Sequence, residues 1–407
     1  MKICFLVGSM AVSGGTYVIV QHASFLRDAG HEVTLAVQEP FAPETLVWHD
    51  EAPKLRALPF EDAKREQFDL VIATWWKTAL ELGNFRASRH AYFIQSIESR
   101  FYPEHEGPLR RLVDSTYTLP VPVITEASWI KAYLQERYGH EATLARNGIR
   151  KDVYSAVGKA VEARPKGSPR VLIEGPFGVS FKNTALALRL AKRAGAKDIW
   201  LLTSSPARWI PGVSRVFSRI PIGETAAIYR SCDILIKLST VEGMFGPPLE
   251  IFHCGGTALV FDVSGHDEYI RHNENAVVVP AGNTRRVVEE LRALLRDRTR
   301  LEALKDGAKK TAAEWPAWPV SSQQFAGWVA AISVGPETDA QQLKAISESA
   351  FAEYVRDEQA RLAAMKQGFS LRGLLRKLAR RAPRRVVRAV KSFEHAGEVL
   401  FGGQRVG

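Results

Sequence analysis

Two glutamates, Glu242 and Glu250, lie eight positions apart in the run EGMFGPPLE and bracket a turn of Gly and Pro residues. The turn follows the apolar run DILIKL and precedes LEIFHCGG, which is compatible with a helix. Proline has no backbone N–H and a φ near the helical value, so the two prolines suit the first turn of that helix. The backbone N–H groups of residues 244–246 would then lie at a helix N-terminus, which suits a phosphate. The carboxylates beside them would accept hydrogen bonds from sugar hydroxyls.

The nonapeptide and its surroundings resemble a known enzyme signature. The spacing resembles the EX7E signature of retaining glycosyltransferases with the GT-B fold, in particular glycosyltransferase family 4, whose usual form is EGFGLPxLEA. Upstream, YRSCDILIKLST resembles the strand leading into the signature, and downstream HCGGTALVFDVSGHDEYIRHNENAVVVPAGN resembles the strand and the Gly and Glu loop that follow it. At the N-terminus, GGTYVIVQHASFLRDAGHEVTLAV resembles the Gly-Gly loop, first helix and second strand of the family. The resemblance covers about residues 1–334.

Length and strand pattern predict two domains. A chain of 407 residues exceeds the usual size of one hydrophobic core. Apolar strands that alternate with helical patterns are typical of parallel sheets covered on both faces. One predicted series is KICFLV, EVTLAV, DLVIA, AYFIQ and PVIT; a second is RVLIE, DIWLLT, DILIKL, TALVFD and AVVVP. We therefore expect an α/β protein of the GT-B class, with two Rossmann-like doubly wound domains facing a cleft and a C-terminal helical, basic extension.

The domain boundaries follow from composition. Residues 1–156 form the predicted N-terminal Rossmann-like acceptor domain, and residues 171–334 form the C-terminal nucleotide-sugar domain with a return helix. The segment 157–170 is polar and rich in Gly, Pro and charge, which is typical of a linker. Residues 335–407 form the helical, basic, amphipathic extension.

The resemblance assigns donor-binding roles to residues around the cleft, where the carboxyl ends of the two sets of strands would meet. It implies that Lys182 contacts the donor diphosphate, Glu250 the nucleotide ribose and Glu242 the hydroxyls of the donor sugar, and these three are the candidate catalytic residues. Family members usually carry an arginine six residues before this lysine, but Pro176 stands there, so diphosphate binding would depend on Lys182, backbone donors and another base such as Arg219. The full donor-binding set is Gly14, Gly15, Lys182, Arg219, Met244, Phe245, Gly246 and Glu250. A solvated lysine and a purely structural glycine turn remain alternative interpretations.

The acceptor side of the cleft is predicted from two other segments. HAYFIQSIESRFYPEHEG resembles the place where many family members carry an active-site histidine, but Gln95 stands there and cannot act as an acid or base. The string YFIQ followed by Glu98 and FYP resembles members that assemble bacterial surface polysaccharides, including rhamnosyltransferases. Trp75 and Trp76 follow the strand DLVIA, where they would either pack on a sugar ring or belong to the core.

Three further residues near the signature have two interpretations each. Glu268 resembles the family's carboxylate after the glycine loop, and it could equally cap a helix. His253 would be a packed helix residue more often than a ligand. His266 belongs to the loop GHDE and could face the donor sugar.

The predicted reaction is transfer of a sugar from a nucleoside-diphosphate sugar to a glycan or lipid-linked acceptor, with rhamnosyl or mannosyl transfer in surface-polysaccharide assembly as candidates. Glycosyl transfer passes through an oxocarbenium-like state, and double displacement needs a carboxylate nucleophile. The sequence leaves the route open, although the roles that the resemblance implies for the two glutamates favour a same-face reaction assisted by the departing diphosphate. A GT-B nucleotide-sugar epimerase and a non-catalytic protein of a membrane-associated glycan-assembly complex remain alternatives.

The composition limits which cofactors the chain could use and where it could be located. Three scattered cysteines, at positions 4, 232 and 254, fit a reducing cytosol rather than a disulfide framework. No DxD motif or histidine cluster occurs, so we expect no cofactor and no essential divalent metal. The start MKICFLV is interpreted as a first strand rather than a signal peptide, and no run of ~20 apolar residues is present.

The C-terminal segment predicts an anionic membrane surface as a partner. The helical spacing of its apolar residues is typical of an amphipathic interfacial helix, which would place the enzyme in the cytoplasm on the inner face of the cell membrane. Nucleic-acid binding is not expected, because few aromatic residues lie among the charges, and a solvated disordered tail remains an alternative. Between residues 366 and 393 the sequence has no acidic residue, and its basic residues are Lys366, Arg372, Arg376, Lys377, Arg380, Arg381, Arg384, Arg385, Arg388 and Lys391.

Overall fold

A computed structural model describes residues 1–379, with the side chains of 43, 45 and 366–379 left out. Residues 1–348 form one compact unit, and a second begins at Ser349. The first unit contains two parallel sheets, and the second enters the description only through the helix that runs to Ala379.

Within the described residues, strands and helices alternate along most of the first unit. The strands are β1 Lys2–Val7, β2 Glu32–Val37, β3 Arg56–Pro59, β4 Gln67–Ala73, β5 Arg86–Ile94, β6 Val123–Thr125, β7 Thr143–Leu144, β8 Val171–Glu174, β9 Ile199–Thr203, β10 Arg215–Ser218, β11 Ile234–Lys237, β12 Thr257–Phe261 and β13 Val277–Val279. The helices are α1 Gly14–Asp28, α2 Phe60–Ala63, α3 Trp76–Ala79, α4 Gly107–Ser115, α5 Ser128–Tyr138, α6 Thr184–Ala194, α7 Ile222–Ser231, α8 Gly246–His253, α9 Thr284–Arg296, α10 Arg298–Glu314, α11 Trp318–Ser333 and α12 Ala340–Ala379.

Both sheets are parallel, and in each sheet the order in which the strands are added reverses beside its first strand. The order of the N-terminal sheet is β3-β2-β1-β4-β5-β6-β7, and that of the C-terminal sheet is β10-β9-β8-β11-β12-β13. The direction of winding therefore reverses between β1 and β4 and again between β8 and β11. Ligands of doubly wound sheets bind at the carboxyl ends of the strands at such reversals. The fold thus offers one crevice in each sheet.

The predicted strands are present in both sheets, and the strands that were not predicted lie at or near the sheet edges. All ten apolar runs contribute to strands, EVTLAV and DLVIA among them. β3, β7 and β10 were missed because they are short and carry exposed or half-exposed residues, and β3 also contains Pro59. An edge strand is covered on fewer sides, so its sequence lacks a continuous apolar run.

The return helix α11 packs on the core of the N-terminal domain. Trp318 and Phe325 belong to the same buried cluster as β1 and α1. The Phe325 ring stacks on His22 at 4.2 Å between centroids, and the Trp318 Nε1–H donates to the Tyr17 hydroxyl at 2.9 Å. An isolated bridge between Ile149 and Ala317 brings this return beside the end of the N-terminal domain.

The contact between residue 148 and the start of α11 provides a test of packing. A Cβ on Gly148 would lie 2.5 Å from the backbone nitrogen of Trp318, whereas a Cβ on Gly327, within α11, meets nothing within 4 Å. We expect Gly148→Ala to lower the free energy of unfolding by about 1–3 kcal/mol through overpacking. Gly327→Ala should instead raise the free energy of unfolding by roughly 0.5–1 kcal/mol, because alanine has less conformational freedom than glycine in the unfolded chain. Urea denaturation of both variants checks the contrast, and equal stabilities would contradict the packing.

Candidate functional site

The signature loop joins the end of β11 to the start of α8. The two prolines occupy the first turn of α8, as the sequence predicts, and Glu250 lies within the helix. Glu242 lies in the preceding loop and is buried. Both signature glutamates therefore lie near the crevice at the carboxyl end of β11.

Lys182 binds Glu242 through both carboxylate oxygens. Its Nζ lies 2.9 Å from Oε1 and 2.8 Å from Oε2. A short turn, Ser180–Lys182, presents the lysine just before α6. Burial raises the pKa of Glu242, but the charges of Lys182 and Lys237 outweigh it and hold that pKa below its ordinary value. Glu242 is therefore an ionised hydrogen-bond acceptor.

A second lysine and glutamate occupy the winding reversal of the C-terminal sheet. Lys237 at the end of β11 forms an ion pair with Glu174 at the end of β8. Burial lowers the pKa of Lys237, but Glu174 and then Glu242 outweigh it and leave that pKa raised. The sequence interpretation missed this pair. Its only signal was a charged residue at the end of each apolar run, in RVLIE and DILIKL.

Glu250 titrates near neutral pH. Burial raises its pKa to about 7, in spite of hydrogen bonds from the Tyr229 and Tyr154 hydroxyls, which favour the ionised form. Glu174 adds to the rise because it is a like charge. The two signature glutamates consequently differ, since one is ionised at neutral pH and the other is poised between its two forms.

Two of the three backbone N–H groups that the sequence assigned to a phosphate, those of Met244 and Gly246, have partners within the protein. The Met244 N–H donates to the Glu126 Oε1 at 3.0 Å, and the Gly246 N–H donates to the Met244 carbonyl at 3.0 Å. Phe245 is fully buried, and its carbonyl accepts a hydrogen bond from Tyr269. Binding of a phosphate to these amides requires the existing bonds to open.

The N-terminal crevice collects the predicted glycines and Gln95. Gly14 and Gly15 open α1, and Gln95 follows β5. The Gln95 Oε1 lies 3.4 Å from the position of a Cβ on Gly15, and it is buried without a hydrogen-bond partner in the structure. Its Nε2 donates to the Thr74 carbonyl at 3.3 Å.

The two predicted tryptophans have different environments. The partly exposed Trp75 packs over Gly8 in the crevice between β1 and β4, and the Nζ of Lys77 lies 4.7 Å from its ring centroid. Trp76 is buried, and its backbone N–H donates to Glu98 at 2.7 Å. Burial raises the pKa of Glu98 to about 8. Trp75 is therefore the partly exposed member of the pair, while Trp76 and Glu98 are buried.

The remaining candidates lie at the edges of this arrangement. Arg219 is exposed with a positive φ of 57°, and its Nε donates to the Ser204 carbonyl at 3.3 Å. Glu268 caps α5, accepting from the Ser128 N–H at 2.6 Å, which is the capping role that the sequence allowed. His253 bonds the Leu249 carbonyl at 2.8 Å within its own helix, and His266 bonds the Val263 carbonyl at 2.5 Å. Within residues 1–379, no three His, Cys, Asp or Glu side chains are arranged to hold a metal ion.

Comparisons with known proteins agree with this fold. Residues 209–311 match the family model of glycosyl transferases group 1, and this stretch contains both signature glutamates. The chain is 26% identical over 222 residues to the O-antigen biosynthesis protein RfbC of Myxococcus xanthus. The alignment covers 52% of this chain, and the chain spans only 17% of the length of that relative.

Solved structures extend the likeness to both domains. The Anabaena protein HepE, solved with UDP and glucose, gives a TM-score of 0.65 at 15% identity and covers 81% of this chain and 100% of its own. Sucrose-phosphate synthase from Thermosynechococcus elongatus gives a TM-score of 0.64 at 16% identity, and the match covers 82% of this chain and 99% of that one. WaaG, a glycosyltransferase involved in lipopolysaccharide biosynthesis, gives a TM-score of 0.61 at 13% identity, and the match covers 82% of this chain and 100% of that one. These likenesses confirm the predicted GT-B fold.

The opposite pKa shifts of the two signature glutamates predict opposite effects on stability. The pKa of Glu250 is about 7 in the folded chain, above its unfolded value of 4.5, so its contribution to stability is present below pH 4.5 and is lost as the pH rises through 7. Glu242 has a lowered pKa, so its contribution is present above its unfolded pKa and is lost as the pH falls through the folded value. Between pH 5 and 8, Glu250→Gln should make the decline in melting temperature shallower, since Glu98 and Glu126 still contribute to it, whereas Glu242→Gln should leave that decline in place. Identical pH profiles for both variants would contradict the assignment.

Proposed function

We propose that this chain is a retaining glycosyltransferase that moves a sugar from a nucleoside-diphosphate sugar to a glycan or lipid-linked acceptor. The observation that carries the proposal is the Lys182–Glu242 pair at the crevice of the C-terminal sheet, beside the first turn of α8. The pair combines a cation for a diphosphate with an ionised acceptor for sugar hydroxyls. The match of residues 209–311 to glycosyl transferases group 1 supports the same reaction class.

The donor site would contain two cations. Lys182 is partly exposed and can exchange one contact with Glu242 for a phosphate oxygen. Lys237 lies deeper in the crevice and is paired with Glu174, so its charge acts on the diphosphate over a longer distance. Lys237 would thereby supply some of the positive charge that family members draw from the arginine replaced here by Pro176. In its ionised form, Glu250 would accept hydrogen bonds from the ribose hydroxyls.

The geometry favours a same-face reaction without an enzymic nucleophile. Glu242 is paired with Lys182 and, in its proposed role, accepts hydrogen bonds from the hydroxyls of the donor sugar, so it does not act as the nucleophile. Gln95 cannot take a proton from the acceptor. The departing diphosphate would then act as the base, and the protein would contribute positioning and stabilisation of the leaving-group charge. This reaction needs no metal and no cofactor.

The acceptor would bind in the N-terminal crevice. The partly exposed Trp75 ring would pack on a sugar ring, and Lys77 beside it suits an acidic sugar or a phosphate of a lipid carrier. RfbC is an O-antigen biosynthesis protein and WaaG acts in lipopolysaccharide biosynthesis. These relatives support a bacterial surface polysaccharide as the acceptor class, with rhamnosyl and mannosyl donors the first to test.

A donor panel with two matched variants tests the reaction. The wild-type chain, offered radiolabelled nucleotide sugars and a lipid-linked oligosaccharide fraction, should transfer one sugar with retained anomeric configuration. Glu250→Ala should lower kcat/KM about a hundredfold, since hydrogen bonds to charged groups contribute roughly 1.5–3 kcal/mol each. Glu289→Ala, which removes an exposed glutamate on α9, is the control and should leave the rate unchanged.

Wild-type kinetics in the Glu250→Ala variant would contradict the ribose assignment. A wild-type chain that binds nucleotide sugars without transfer to any acceptor would favour the non-catalytic alternative. Conversion of the nucleotide sugar to a different nucleotide sugar in the absence of an acceptor would favour an epimerase.

We also propose that the segment 366–393 attaches the enzyme to the inner face of the cell membrane. The sequence of this segment carries the positive charge, and its part beyond residue 379 lies outside the described residues. Among the described helices, none combines the length and apolar character of a membrane span. Each basic residue near an anionic leaflet contributes about 1 kcal/mol, so several suffice for reversible attachment.

Neutralising the segment in the full chain tests this attachment. Replacing Arg380, Arg381, Arg384 and Arg385 by glutamine should reduce sedimentation with phosphatidylserine vesicles by at least tenfold at low salt. High salt should have the same effect on the wild-type chain, because surface electrostatics are screened. Equal sedimentation of both proteins at low salt would contradict the proposal.

A further inference from the structure

The loop that follows Glu242 is held by side chains of the other domain. The Met244 N–H donates to the Glu126 Oε1 at 3.0 Å, and the Gly243 carbonyl accepts the Trp129 Nε1–H at 2.9 Å. Glu126 and Trp129 lie at the junction of β6 and α5 in the N-terminal domain. One donor and one acceptor of the loop backbone are thus bound by two side chains only three residues apart.

The loop is enclosed so closely that it requires glycine. A Cβ on Gly243 would lie 1.8 Å from the Gln95 carbonyl oxygen and 2.8 Å from the Glu126 Oε1. A Cβ on Gly265 would lie 2.2 Å from the Gly243 carbonyl oxygen, and Gly265 has a φ of 85°. Backbone from both domains therefore lies against the residue next to Glu242, which leaves the loop little freedom to move while these contacts exist.

The second oxygen of Glu126 is also bound. The Asn147 Nδ2 donates to its Oε2 at 2.8 Å, and the glutamate is 5% exposed. With both oxygens engaged and the side chain buried, Glu126 is fixed from its own domain and is not open to a ligand. Its geometry suits the holding of another group rather than the binding of substrate.

The donor domain holds the same junction in return. Glu268 accepts from the Ser128 and Trp129 N–H groups at the start of α5, and its other oxygen accepts from Arg146 at 3.0 Å. Each domain thus inserts one carboxylate into the backbone of the other. Trp129 is therefore bound at its backbone N–H by Glu268 while its indole N–H binds the Gly243 carbonyl.

We propose that Glu126 and Trp129 are positioning residues that hold Glu242 in its working geometry, so that the donor-sugar site is complete only when the N-terminal domain contacts the signature loop. The inference rests on the proposed function for the role of Glu242. Lys182 belongs to the donor domain, so nucleotide binding does not depend on this contact. Acceptor binding in the N-terminal domain and donor-sugar geometry in the C-terminal domain are thereby linked through the junction of β6 and α5.

Three variants of the full chain separate this role from general destabilisation. Glu126→Ala should lower kcat at least tenfold while changing the Kd for the nucleoside diphosphate less than threefold. Glu126→Gln should restore most of kcat, because its amide oxygen still accepts the Met244 N–H and rotation of the Asn147 amide would present the now unpartnered Asn147 Oδ1 to the new NH2 group. Trp129→Phe keeps an aromatic ring but removes the indole N–H together with the five-membered ring, and it should lower kcat roughly threefold to tenfold. Trp209→Phe, at an exposed tryptophan, is the control and should have no effect.

Amide hydrogen exchange provides a readout that does not require activity. The Met244 amide should exchange at least tenfold faster in Glu126→Ala than in the wild-type chain, and Glu126→Gln should restore its protection. Unchanged exchange and unchanged kcat in Glu126→Ala would overturn the inference, as would a Gln variant as impaired as the Ala variant in both. If the wild-type chain transfers no sugar, the proposed function fails, and the exchange data still decide whether Glu126 holds the loop.

Discussion

Glu242 can be ionised in a buried loop only because two ammonium groups lie near it, and the donor-side crevice is arranged around that requirement. A buried carboxylate without a cation is costly, and it usually takes up a proton instead. Lys182 supplies direct contacts to both oxygens, and Lys237 adds a more distant charge. Lys237 is itself buried and depends on Glu174. Two ion pairs therefore support each other at the place where the sheet reverses its winding.

This requirement explains why the two signature glutamates differ. Glu250 lies among buried tyrosines, and the hydrogen bonds from Tyr229 and Tyr154 together with the charge of Lys237 do not offset its burial, so its pKa rises to about 7. Glu242 has Lys182 in direct contact as well and stays ionised. One sequence motif thus produces two carboxylates with different chemistry because their neighbours differ.

The sequence predicts the fold well because parallel strands covered on both faces leave long apolar runs such as EVTLAV and TALVFD. It predicts edge strands poorly, since β3 and β10 are exposed on one side and have mixed composition. At the candidate site, local motifs locate Glu242, Glu250 and Lys182, which the structure brings to the same domain. Glu126 could not be found this way, because its importance comes from contact with Met244, 118 positions away along the chain. The sequence places Glu98 and Trp76 just after strands that lead to the crevice, but tertiary packing buries both side chains.

The proposed donor site depends most on Lys182, which is held by Glu242 and would be the cation for a donor diphosphate. Calorimetric titration with UDP, GDP, CDP, ADP and dTDP tests this role directly. The wild-type chain is compared with Lys182→Met and with the control Lys309→Met, which changes an exposed lysine. We expect the wild-type and control chains to bind at least one nucleoside diphosphate equally well, and Lys182→Met to bind it at least tenfold more weakly. Equal affinity in all three chains would contradict the account.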